Sequence, residues 1–69
     1  MTRDDAIAAT YGTQFIRTVG KPIRVRVSGR CKTWKTRPTE FQLPVKYGLY
    51  ESGYITHENA HEWESARNA

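Results

Sequence analysis

Apolar and polar residues alternate most strictly in Ile23-Arg24-Val25-Arg26-Val27. A strand there turns Ile23, Val25 and Val27 to one side and both arginines to the other. Residues 41–47 alternate again, with Phe41, Leu43, Val45 and Tyr47 on a common face. Pro44 has no amide hydrogen, so this second run predicts an edge strand. Between the two, Ser28-Gly29-Arg30 turns the chain into residues 31–35, and 23–27 with 31–35 reads as a hairpin. Its turn has two geometries. A two-residue Gly29-Arg30 turn sets Val27 opposite Lys32 and sends Trp34 into the core. A three-residue turn over 28–30 leaves Trp34 outside beside Arg24, Arg26 and Lys32, with Cys31 and Thr33 within. Glycine favours the first, the exclusion of Lys32 from the core favours the second, and the turn chemistry tips the balance.

The flanks carry helix signals. Thr2 and Asp5 form a capping-box pair, Asp4 and Asp5 suit the positive end of a helix dipole, and alanines at 6, 8 and 9 favour helix. Ile7 and Tyr11 stand four apart and Gly12 is a stop, so a helix is predicted over 3–11. Residues 15–19 make a short strand closed by Gly20. Residues 36–39 are a loop, 49–53 a link, and 54–55 another short strand. Thr56 is a good N-cap, with Ile55 and Ala60 at hydrophobic-staple positions and Ala60 and Trp63 as the docking stripe of a final helix. The expectation is an α+β domain: a small antiparallel sheet of three to four strands with an N-terminal and a C-terminal helix, one domain over 1–69.

Composition narrows the class. Leu, Ile, Val and Phe are 12 of 69 residues, yet 12% of the chain is aromatic and the net charge is +4, which describes a folded module with a thin core. A core of this size rarely supplies more than ~3–5 kcal/mol unaided, so a partner, a metal or a second copy (a homodimer) are candidate supports. No apolar run approaches the roughly 18 residues of a membrane span, and no signal-peptide stretch opens the chain. A lone cysteine, Cys31, suits a reducing cytosol, so a cytoplasmic protein is expected.

Charge changes the picture most. Arg17, Lys21, Arg24, Arg26, Arg30, Lys32, Lys35 and Arg37 fall in one stretch that contains no acid, whereas the residues after Tyr50 are net acidic. Basic side chains interleave with Trp34, and further on Lys46 lies among Tyr47 and Tyr50. Phosphates demand cations and unpaired bases stack on rings, so this combination is what a nucleic-acid binder needs. The expected function is a small basic accessory module, not an enzyme. It would bind single-stranded or backbone-presented nucleic acid, with low sequence specificity, through Arg24, Arg26, Arg30, Lys32, Trp34, Lys35 and Arg37. The alternative is a protein-binding module, such as a small phage-type inhibitor or anti-defence protein docking on an acidic surface of a nucleic-acid-handling machine.

Two chemical motifs rank lower. His57-Glu58-Asn59-Ala60-His61 satisfies H-E-x-x-H, in which histidines one helical turn apart hold zinc and the glutamate polarises its water. No third ligand follows at the expected spacing, which leaves His57 and His61 as surface metal candidates at most and predicts no cofactor. Cys31 lies between Arg30 and Lys32, cations that would lower a thiol pKa, but no histidine neighbours it in sequence.

Overall fold

The computed structural model describes residues 1–66. Strands dominate: β1 Gln14–Arg17, β2 Arg24–Val27, β3 Lys32–Trp34, β4 Arg37–Tyr47, β5 Glu51–Thr56 and β6 Trp63–Ser65, preceded by a short helix α1, Arg3–Ala8, the only α-helix among the described residues. All pairings are antiparallel. The α+β expectation of helices at both termini is therefore wrong, since the molecule is a curled six-stranded sheet with one helix.

Strand β4 organises the sheet. Gln42 pairs with Lys32 of β3 and Thr56 of β5, and Lys46 pairs with Arg26 of β2 and Ser52 of β5. Hence β2 and β3 share one edge of β4 and β5 occupies the other. From β2 the sheet continues through β1 to β6. The expected 23–27/31–35 hairpin does not form, because β2 and β3 lie end to end along β4 instead of side by side. The tight hairpin is β3–β4, with Trp34 opposite Arg37 and an irregular register between Thr33 and Trp34.

Pro44 therefore sits in a central strand. Its carbonyl accepts from Ser28 N–H at 2.9 Å. The N and C=O of one strand residue point to the same side, so its missing amide faces Ser28 as well. The proline forgoes the second bond of that pair, just past the end of β2. The crossing is close, and a Cβ on Gly29 would lie 3.1 Å from Pro44 Cγ.

The concave face is apolar. Phe15, Val25, Val27, Phe41, Leu43, Val45 and Ile55 fill it, closed by Ala6 of α1 and by Ala60, with Met1, Ala9, Cys31, Tyr47 and Trp63 packed around. Trp34 is half-buried but stands outside this core. The Thr2–Asp5 capping box forms, with Asp5 N–H donating to Thr2 Oγ1 at 3.1 Å and Thr2 N–H to the Asp5 carboxylate at 3.0 Å. The helix stops at Ala8, short of the expected 11, and Ile7 and Tyr11 remain exposed.

Among the described residues no α-helix follows Thr56. Asn59 Oδ1 accepts from Thr56 N–H at 2.9 Å and Thr56 Oγ1 from Glu58 N–H at 3.3 Å, local bonds that compete with helix formation. A 3-10 turn at Ala60–Glu62 then leads into β6. As strand, Trp63 pairs with Arg17 and packs on the core, which covers an edge of β1 that a helix would leave unpaired. The N-terminal amine donates to the Ala60 and Trp63 carbonyls at 3.2 and 2.8 Å.

Candidate nucleic-acid interface

The convex face is set by strand parity. With Val25 and Val27 inward, Arg24 and Arg26 are exposed on the outside, and Lys46, Pro44 and Gln42 of β4 turn the same way. Arg26 stands directly opposite Lys46, and Lys32 opposite Gln42. Four steps of extended strand separate Gln42 from Lys46, roughly 13 Å. The result is a cationic tract running along one edge of β4. Arg24 Nη1 donates to Gln14 Oε1 at 2.9 Å, a neutral partner that orients the guanidinium without cancelling it. Among the described residues, neither Arg24, Arg26, Lys32 nor Lys46 forms an ion pair.

Beside Lys46 the convex side of β5 presents Tyr54, 58% exposed and paired with Pro44. Strand parity held the signal for this ring, because Ile55 faces inward and so turns Tyr54 outward. Tyr50 is 96% exposed at the β4–β5 turn, next to Leu49 at 89%.

The other predicted residues do not gather here. Arg30 is exposed in the β2–β3 crossing and Lys35 in the β3–β4 turn. Arg37 Nε lies 3.3 Å from Glu40 Oε2 and is partly neutralised. Trp34, opposite Arg37, sits at the far end of the sheet from Lys46. Arg17 belongs to a different site, where its Nε and Nη2 lie 3.1 and 2.9 Å from Glu62 Oε1. Arg17 borders a concavity of about 270 Å³ lined also by Ile23, Tyr47, Gly53 and Trp63. With its arginine paired, this hollow offers little to an anion.

Metal and thiol chemistry gain nothing from the geometry. His57 is exposed in a turn and His61 in the 3-10 turn, so the single helix face that would aim both at one ion is missing. His57 Nε2 instead lies 3.7 Å from Glu40 Oε1. Among the described residues, no group of three His, Cys, Asp or Glu is arranged to hold a metal. Burial pushes the Cys31 thiol pKa up, outweighing the opposing pull of Arg3. Its cationic sequence neighbours therefore do not activate it. Compared with protein-family models, with curated proteins and with solved structures, the chain matches none. Among the described residues no helix is long and apolar enough to cross a membrane.

Proposed function

We propose that the convex face binds single-stranded nucleic acid with little sequence preference, Arg24, Arg26, Lys32 and Lys46 taking phosphates while Tyr54 stacks against a base. The observation that carries this reading is the Arg26–Lys46 pair. Like charges directly opposite one another destabilise a sheet, and here two cations face each other with no carboxylate partner. A passive solvated surface gains nothing from that arrangement, whereas a polyanion site gains a focus of positive potential. Tyr54 adds an aromatic platform within the same face, the second element that unpaired bases require.

Fluorescence anisotropy of a labelled oligothymidylate tests the reading. Affinity falls with salt at about 0.7 in log K per decade for each phosphate neutralised, so four contacts give a slope near −3. Arg26→Gln and Lys46→Gln each lower the magnitude of that slope by about 0.7. Tyr54→Ala weakens binding roughly tenfold, within the ~1–3 kcal/mol range of one stacked base, and leaves the slope unchanged. An absence of binding at low salt, or binding indifferent to salt, rejects the proposal.

A further inference from the structure

Among the described residues three strands end the sheet, and they are not equivalent. Strand β3 has three residues, an irregular register and an outward lysine, Lys32. Strand β6 also has three residues and carries Glu64. Short length, charge and irregularity are the usual protections of an edge. Strand β5 has six residues, Glu51-Ser52-Gly53-Tyr54-Ile55-Thr56, with no lysine, no proline and an unbroken register against β4.

Which main-chain groups of β5 point outward follows from Pro44. Its C=O faces β2, so Lys46 and Gln42 face that way too, and Leu43, Val45 and Tyr47 face β5. Their partners Ile55, Gly53 and Glu51 then face β4, which turns the N–H and C=O of Ser52, Tyr54 and Thr56 away from it. Thr56 bears this out, since both its groups are taken by Asn59 at 2.9 and 3.2 Å. Asn59 closes that end of the edge. The outward groups of Ser52 and Tyr54 have no strand beside them among the described residues.

We infer that this edge joins two copies of the chain through antiparallel β5–β5 pairing about a two-fold axis at Gly53. In that register Ser52 of each copy exchanges both N–H···O bonds with the partner's Tyr54. Gly53 faces Gly53, and the absence of side chains suits the close approach of a non-hydrogen-bonded pair. Glu51, the one charged residue of β5, meets Ile55 instead of another acid. The match is self-complementary, as an isologous interface must be. The cations lie away from the seam. β4 and the partner's β4 are three strand spacings apart, about 14 Å, beyond the ~10 Å screening length at 0.1 M salt. Each chain carries a net charge of +4, so salt screens the repulsion between copies and dimerisation gains from it. This inference stands apart from the nucleic-acid reading, whose salt response has the opposite sign.

Sedimentation equilibrium under reducing conditions, so that Cys31 cannot link chains, tests it. The expected mass rises with concentration to about twice the 8.0 kDa of one chain. Over the same range, hydrogen exchange at the Ser52 and Tyr54 amides slows. Ser52→Pro removes only an outward N–H, so it keeps the fold by circular dichroism and stays at the monomer mass. Ser52→Lys, a change on the exposed face, does the same should the proline perturb the strand. A wild type that remains monomeric at millimolar concentration overturns the inference. So does dimerisation of both folded variants at wild-type affinity.

Discussion

At the scale of single residues, local chemistry was legible and long-range context was not. The Thr2–Asp5 capping box is written in the spacing of the residues and forms as expected. Hydrogen bonds from Thr2, backbone first and then side chain, hold the Asp5 carboxyl below the ordinary aspartate range. A depressed carboxyl contributes stability above its unfolded-state pKa and loses it as pH falls through the folded-state pKa. Nuclear magnetic resonance titration of Asp5 is thus expected to show a midpoint below that of an unstructured peptide, rising only part of the way in Thr2→Ala, which keeps the backbone donor. A wild-type midpoint equal to the peptide's would mean the box does not persist in solution. Cys31 shows the converse. Its sequence neighbours are cations, yet burial sets its pKa, and only the fold reveals how deeply a side chain is covered.

At the scale of elements, alternation located β2 and the 41–47 part of β4 and placed Arg24 and Arg26 outward, but it missed the start of β4 and all of β6, and pairing partners were beyond its reach. Periodicity carries no information on which strand lies beside which, so β2 and β3 read as a hairpin although both dock on β4. Pro44 misled for a related reason: it marks a missing amide, and that amide faces Ser28 just past the end of β2, where a single ladder bond is forgone, not a sheet edge. The segment after Thr56 had helix signals over barely ten residues, a length at which tertiary pairing decides the outcome. The β2–β3 crossing offers a direct test. Gly29→Ala puts a Cβ 3.1 Å from Pro44 Cγ, an overpacking expected to cost about 1 kcal/mol and to lower Tm by roughly 5 °C. Because the clash involves one partner, adding Pro44→Ala should recover much of the loss. Strictly additive single and double variants would show that the crossing is looser than this packing requires.

At the scale of the whole molecule, the charge asymmetry seen along the chain is only partly an asymmetry in space. Arg17 and Arg37 are drawn off by Glu62 and Glu40, while Lys46, from outside the basic stretch, joins Arg24, Arg26 and Lys32 on the convex face. Concentrating unpaired cations works against the fold itself, since like charges across adjacent strands repel by roughly 0.2–1 kcal/mol per pair. Arg26→Gln keeps most of the side-chain stem and removes one charge of that pair, and so is expected to raise Tm by about 2–4 °C at low salt. The gain should shrink as salt screens the repulsion it relieves, and the same variant binds oligothymidylate more weakly. Stability and affinity moving in opposite directions is the signature of a charge kept for a partner. If thermal denaturation instead finds Arg26→Gln less stable at every salt concentration, the arginine earns its place by packing, and the convex face loses its strongest claim to be a binding surface.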